Sequence, residues 1–312
     1  MENNVDIIVN CFNGEKYLSE ALDSILSQDY PLWRIIFIDN CSSDSSKKIA
    51  QNFEGNLIYH RTEKKISLGA ARKLAVSLTK SDYIAFLDCD DRWLPNKLKE
   101  QVEIMQKKEL ALTFSGINYI DQNGKYIGKY TPISQEGDLF REKLVNFDIN
   151  ILTSLIRREF LMKNDLNFSS EMEASEEYNL FMQIAAIGKI HSTEKIHANY
   201  RILEDSLTNK FKKKWAEERE ITINHIIKGN HNFALEYEEE IKLALNRACY
   251  YKACFYMENK KYSKARKELI NISKEEYLYL LFYLLSLTPI LWKLFHRRKI
   301  KEKLTRVFFK KK

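Results

Sequence analysis

The sequence predicts an α/β protein, a mostly parallel β-sheet with helices on both faces, continued by a C-terminal helical extension. Three observations predict it. Short apolar runs of strand length alternate with segments of helical periodicity from Val5 to Asp88. Successive strand candidates end in polar or acidic residues, at Asn10, at Asp39 and at Asp88–Asp91. From about Lys212 onward only helical periodicity remains.

The elements follow in order. Val5–Asn10 is an apolar run ending in a polar turn, and in Glu15–Gln28 the residues Tyr17, Leu18, Ala21, Leu22, Ile25 and Leu26 recur at helical spacing. Pro31 breaks the chain before a second strand, Arg34–Asp39, and Ser42–Asp44 offers an N-cap for a helix through Phe53. Asn56–Tyr59 is a third strand, Gly69–Leu78 a third helix, Tyr83–Asp88 a fourth strand, and another helix begins near Pro95. Alternation on this scale argues for a doubly wound parallel sheet, in which ligands bind beyond the carboxyl ends of the strands. Asn10, Asp39 and Asp88–Asp91 therefore mark a candidate site, although each of them taken singly is also a plausible helix cap.

Composition bounds the rest. The 312 residues, 45% apolar and 12% aromatic, suffice for one large domain and an appendage, and four prolines and nine glycines leave no room for a long linker. The net charge of +7 is concentrated in Lys293–Lys312, which holds ten Lys/Arg against the single acid Glu302. A local basic block points to anionic lipid rather than to nucleic acid. Five scattered cysteines suit a reducing compartment, and Cys249 and Cys254, five apart, point about 140° from each other on a helix and so do not form a zinc pair. The first residues, Met1–Asp6, have no basic region followed by a long apolar core, so a cytoplasmic location is expected.

The strongest chemical signal is Asp88-Cys89-Asp90-Asp91, three carboxylates in four residues at a strand end. Such a cluster is costly without a cation, and hard oxygen donors suit Mg²⁺ or Mn²⁺, which bridge phosphate oxygens. An acidic turn capping the next helix is the alternative. Further segments make the first 210 residues resemble the family 2 glycosyltransferases, which have the GT-A fold, a Rossmann-like nucleotide-sugar-binding sheet. They are Asn10-Cys11-Phe12-Asn13-Gly14-Glu15-Lys16-Tyr17-Leu18; Ala21–Gln28 with Tyr30-Pro31; and Ile38-Asp39-Asn40-Cys41-Ser42-Ser43-Asp44. Ser67-Leu68-Gly69-Ala70-Ala71-Arg72, and Phe86–Asp91 followed by Trp93-Leu94-Pro95 (the DXD region), complete the series.

That resemblance implies an inverting transferase moving a sugar from a nucleotide-sugar, UDP-sugar foremost, to a hydroxyl of a growing glycan such as lipopolysaccharide, capsule or lipid-linked oligosaccharide. By the same carry-over Asp39 and Arg72 hold the donor base, with Asn10 and Phe12 beside it. Asp88 binds ribose or metal, and Asp90 is the direct ligand of Mn²⁺ or Mg²⁺. Glu177, in Ser175-Glu176-Glu177-Tyr178, matches the family's base, with Glu176, Asp91 and Arg201 in supporting places. The resemblance extends past Tyr200, through Arg201 to Ser206, and Asn150–Leu161 with Met172–Ala174 fall where the acceptor pocket is assembled. Two departures stand out. Glu177 replaces the usual aspartate, and Leu203 stands where many relatives carry a histidine; neither His191 nor His197 is nominated in its stead.

The expected domains are 1–211, catalytic; 212–275, a helical extension with segments Trp215–Ile227, Phe233–Glu258 and Tyr262–Ile272; and 276–312, a membrane-associating segment. Tyr277–Trp292 is apolar and aromatic and is broken by Pro289, and even as one helix it covers only ~24 Å at 1.5 Å per residue, short of a ~30 Å hydrocarbon core. An in-plane anchor with Lys/Arg on anionic headgroups is expected, at the cytoplasmic face of the inner membrane; a buried helix with a solvated tail is the alternative. A nicotinamide-type oxidoreductase is disfavoured because no GxGxxG follows the first strand. A non-catalytic protein of the same fold, binding nucleotide-sugar or membrane, is the remaining alternative.

Overall fold

The structure, a computed structural model, describes residues 3–203, 212–229, 231–274 and 276–296. The basic block from 297 onward and the 204–206 portion of the resemblance lie outside the described residues. Strands β1 (Val5–Cys11), β2 (Trp33–Asp39), β3 (Leu57–Arg61) and β4 (Tyr83–Asp88) run parallel in the order β3-β2-β1-β4. The sheet continues through β9 (Leu155–Arg157), β6 (Leu112–Ile120), β10 (Ile190–Arg201) and β5 (Arg92–Trp93). Here β9 is antiparallel to both neighbours, while β6 and β10 are parallel to each other. Strand β7 (Tyr126–Tyr130) pairs with β6, and β8 (Gln135–Gly137) with β10.

Side-chain alternation along the central strands assigns the two faces. Odd residues of β1 and β4 (Val5, Ile7, Val9, Cys11; Tyr83, Ala85, Leu87) share a core with α1 (Leu18–Leu26), α2 (Ser46–Gln51) and α4 (Lys97–Lys107). Even residues (Ile8, Ile84, Phe86) share the opposite core with α3 (Leu68–Ser77), α5 (Phe140–Val145) and α7 (Glu176–Ile187). Strands buried on both faces read as continuous apolar runs, which is why they were legible. The later strands carry no clean alternation; β10 mixes His191, Ser192, Glu194 and Lys195 with apolar residues and is bulged against β6.

A short helix α6 (Arg158–Lys163) leads toward α7, and the extension begins with α8 (Lys212–Gly229), whose Ile223 joins the core beneath α5 and α7. The single helix expected over Phe233–Glu258 is two, α9 (His231–Glu236) and α10 (Glu238–Glu258). Tyr237 sits between them in a non-helical conformation, and Glu238, Glu239 and Glu240 crowd the first turn of α10, where the positive end of the helix dipole favours acids. After α11 (Tyr262–Ile272) the apolar segment also divides, into α12 (Tyr277–Leu287) and α13 (Pro289–Phe295). Thr288 is extended, as a residue before proline must be, and Pro289 supplies no N–H to continue the helix. One side of this hairpin, Tyr279, Phe282 and Trp292, packs with Tyr250, Ala253 and Leu269, so α10–α13 share one apolar cluster.

Candidate active site

Three parallel strands deliver the first half of the site. Asn10 and Asp88 are register partners at the ends of β1 and β4, and Asn10 Oδ1 is buried without a protein partner. At the end of β2, Asp39 is fully buried. Its Oδ1 accepts from Ser42 N at 2.7 Å, and its Oδ2 from Arg61 Nη1 at 2.7 Å and from Tyr59 Oη. Burial works against the charge, yet the bonds from Tyr59 and Ser42 and the Arg61 charge outweigh it, holding the carboxyl below its ordinary range. Tyr59 responds in the other direction, pushed up to about 12 by burial and by Asp39. Phe12 is 42% exposed, with Lys65 Nζ 3.7 Å from its ring centre.

Arg72 does not share partners with Asp39. Its buried guanidinium donates through Nη2 to Asp88 Oδ1 at 2.9 Å and through Nη1 to Glu176 Oε1, tying the end of β4 to the first turn of α7. Burial penalises this charge, but Asp88, Glu176 and Glu177 together hold the guanidinium well above its ordinary range. Glu176 remains raised by burial despite the arginine. Glu177 retains some exposure, but its surroundings and the charge of Glu176 push it up to about 8. A carboxylate titrating near neutrality is a stronger proton acceptor than an ordinary one.

The position of α7 is set by remote contacts. Ser67 caps α3 through its side chain to Ala70 N, and a Cβ on Gly69 would stand 2.2 Å from Ser169 O and 2.9 Å from Met172 O. Only glycine allows the loop before α7 to approach α3 so closely. From α8, the buried Glu218 carboxylate accepts from the backbone N–H groups of Glu173 (2.9 Å), Ala174 (3.1 Å) and Ser175 (2.7 Å). Neither Gly69's packing role nor Glu218 was signalled by local pattern. Arg61, at the end of β3, falls under the same strand-end rule that identified Asp39.

In the acidic turn the three aspartates differ. Asp88 is neutralised by Arg72 and its side chain is 32% exposed. Asp91 points inward, its Oδ1 accepting from Arg201 N at 2.7 Å, and burial and the neighbouring carboxylates raise it well above its ordinary range. Arg201 binds the same turn through Nε to Asp90 O at 2.8 Å and reaches Glu20 Oε2 at 2.9 Å over the Tyr17 ring. Asp90 has burial and Asp88 pushing it up to about 6, against the opposing charge of Arg201. Among the described residues no three His, Cys, Asp or Glu side chains form a metal cage. The donor set nonetheless fits a hard divalent ion of the kind that takes one or two carboxylates and completes its shell with phosphate and water. His191 and His197 are engaged elsewhere, with Thr113, and with Ser115 and Glu100.

Residues 6–165 match the model of Glycosyl transferase family 2. TuaG of Bacillus subtilis, a glycosyltransferase assigned to teichuronic acid biosynthesis, is 27% identical over 251 residues, covering 77% of this chain and 97% of TuaG. WfgD of Escherichia coli, a UDP-Glc:α-D-GlcNAc-diphosphoundecaprenol β-1,3-glucosyltransferase, is 28% identical over 212 residues, 67% of this chain and 81% of WfgD. The fold is that of S. aureus TarS 1–349 in complex with UDP-GlcNAc (TM-score 0.67, 17% identity, 97% and 92% of the two chains). It also resembles the mannosyltransferase PcManGT of Pyrobaculum calidifontis in complex with GDP-Man and Mn²⁺ (TM-score 0.61, 12% identity, 95% and 87%).

Proposed function

The chain belongs to glycosyltransferase family 2 and has its GT-A-like α/β fold, and we propose that it transfers a sugar, with inversion, from a nucleotide-sugar to a hydroxyl of a cell-surface glycan. The carrying observation is the Arg72 clamp, which brings Asp88 of the acidic turn and the Glu176-Glu177 pair of α7 around one buried cation. Asp39, ordered by Tyr59, Arg61 and Ser42 at the end of β2, is assigned to the donor base, with Asn10 near the end of the adjacent β1 and Phe12 directly after that strand. A UDP-sugar is the preferred donor, supported by the names of WfgD and of the TarS complex. Mn²⁺ or Mg²⁺ held by Asp90, with Asp88 beside it, supplies Lewis-acid neutralisation of the departing diphosphate.

Glu177 is the base. Its carboxylate takes the acceptor hydroxyl's proton as the oxygen attacks the anomeric carbon, so the bond to the nucleotide breaks as the new one forms on the opposite side. Glu176 keeps Glu177 basic through like charge, and Arg72 keeps Glu176 in place. Asp91 and Arg201 hold the acidic turn from beneath. Separate UDP-, GDP- and dTDP-sugars, with Mn²⁺ or EDTA, test this by released nucleotide. The expected result is metal-dependent release from one donor class, lost in Asp90→Ala and Glu177→Ala. Release that survives both substitutions overturns the assignment.

The acceptor end of the reading includes an anionic membrane surface at the cytoplasmic face, contacted through Tyr277–Lys312. No described helix is long and apolar enough to cross a membrane. Across α12 and α13, however, Tyr277 (93%), Ile290 (73%) and Leu284 (52%) are exposed on the side away from the packed cluster. An apolar face followed in sequence by a Lys/Arg block is the pattern of an in-plane anchor. Co-sedimentation with phosphatidylglycerol vesicles is expected, absent with phosphatidylcholine alone and lost in Leu284→Glu/Ile290→Glu. Equal binding by that double variant would remove the hairpin from the interface.

A further inference from the structure

Two thiols lie in the site without a part in the transfer. Cys11 ends β1 and Cys89 follows β4 between Asp88 and Asp90. The register pairs Asn10 with Asp88, so Cys11 and Cys89 are the next residues of two adjacent parallel strands. Both side chains face the core shared with α1, α2 and α4, Cys11 within the cluster and Cys89 packed against it. A Cβ on Gly14 would meet both sulfurs, each at 2.8 Å, so the two sulfurs border the same small space that the glycine leaves open. Neighbouring strands stand about 4.8 Å apart, inside the Cα separation of about 4.4–6.8 Å that a disulfide requires.

We propose that Cys11 and Cys89 are a redox modification site, closing to a disulfide that disables the acidic turn. A peroxide is the oxidant. One of the two sulfurs attacks one peroxide oxygen, giving a sulfenic acid and releasing water. The other sulfur then displaces that hydroxyl as a second water, so two thiols and one peroxide become one disulfide and two waters. A dithiol reverses it by exchange. Such reversible disulfides are the kind found in reducing compartments. Cys89 has Asp88 and Asp90 as its chain neighbours, so drawing its sulfur to bonding distance of Cys11 shifts both carboxylates. The consequence for turnover rests on the proposed transferase reading; the bond itself does not.

The test treats the full chain with hydrogen peroxide, blocks remaining thiols with N-ethylmaleimide and maps peptides by mass spectrometry, then measures nucleotide release before and after dithiothreitol. The expected result is a Cys11–Cys89 linked peptide and a fall in release of about 10- to 100-fold, the scale of an ångström-sized misplacement, restored by the dithiol. Cys89→Ser, and independently Cys11→Ala, are expected to give no linked peptide and to lose the dithiol-reversible component. A linkage map without that peptide overturns the site, and a linked protein with unchanged release overturns the switch. A reduced protein that releases nucleotide from no donor counts against the transferase reading alone, because the peptide map decides the disulfide by itself.

Discussion

The two halves of the site are built differently. On the proposed donor side Asn10, Asp39 and Asp88 stand at the ends of adjacent parallel strands, and sheet register alone sets their spacing. On the proposed base side Glu176 and Glu177 open a helix whose position depends on residues far along the chain: Arg72 from α3, Gly69 beneath the preceding loop, and Glu218 from the helical extension. Backbone hydrogen bonding fixes the first half; buried charge and close approach fix the second. The second half is therefore the one that single substitutions should disturb most.

Glu177→Gln should give the largest effect. Removing a general base costs about 10²- to 10⁴-fold in kcat, measured as nucleotide release at saturating donor. The same variant should be more stable than the parent at neutral pH. With its folded value raised to about 8 from an ordinary 4.5, Glu177 favours the fold fully only below the unfolded value, and that contribution is lost as pH rises toward and through about 8. Thermal unfolding across pH 4–9 should show the variant's advantage widening over that window, while the parent's kcat/KM rises with pH along the limb set by Glu177. A variant that loses activity with no pH-dependent gain in Tm would mean that Glu177 is not held in the raised state.

Arg72→Met should come next, because it strips the cation from three carboxylates at once. Leaving a buried charge without its partner costs about 3–5 kcal/mol, read by urea unfolding, and Arg72→Lys should recover only part of it since a lysine cannot span two carboxylates as a fork. Arg72→Met should also move the rising limb of the pH–rate profile upward, as Glu176 and Glu177 lose their compensating charge, and Arg72→Lys, which keeps a cation there, should move it less. A limb that stays in place would separate Arg72 from the base.

How much of this was legible follows the same division. The βαβ alternation, Asp39 and the Asp88–Asp91 turn could be read because apolar runs, strand ends and acidic clusters are local signals. Arg72 could be singled out from its motif, but its bonds to Asp88 and Glu176 could not, because what a guanidinium bonds is decided by tertiary approach and not by its neighbours in sequence. Glu218 gave no signal: a glutamate in a helical segment reads as solvated surface until α8 is seen packed under the loop. The division of Tyr277–Trp292 at Pro289 was visible, but its two-sided character was not, since nearly every residue in it is apolar.

Glu218→Gln should have a smaller effect and a distinct signature. The amide can still accept from some of the three N–H groups of Glu173–Ser175 but loses the charge that strengthens those bonds, a loss of about 1–3 kcal/mol. Faster amide exchange at residues 173–176, with kcat reduced and donor KM little changed, is the expected pattern, because the loop orients the base and not the donor. An equal loss in donor KM would show that the two halves are coupled through more than Arg72.

Tyr59→Phe is the smallest of these and probes the donor side. Asp39 accepts from Ser42 N, Arg61 Nη1 and Tyr59 Oη, so deleting the phenol leaves two donors and an oriented carboxylate. One hydrogen bond of this kind contributes about 0.5–1.5 kcal/mol, which is about 2- to 10-fold in donor KM, with kcat unchanged because the base side has lost nothing. The register of β1, β2 and β4 carries the spacing of Asn10, Asp39 and Asp88, and none of those backbone pairings involves the Tyr59 side chain. A fall in kcat comparable to that of Glu218→Gln would mean that Asp39 reports to the reacting end of the donor, and the contrast between a register-built half and a contact-built half would have to be abandoned.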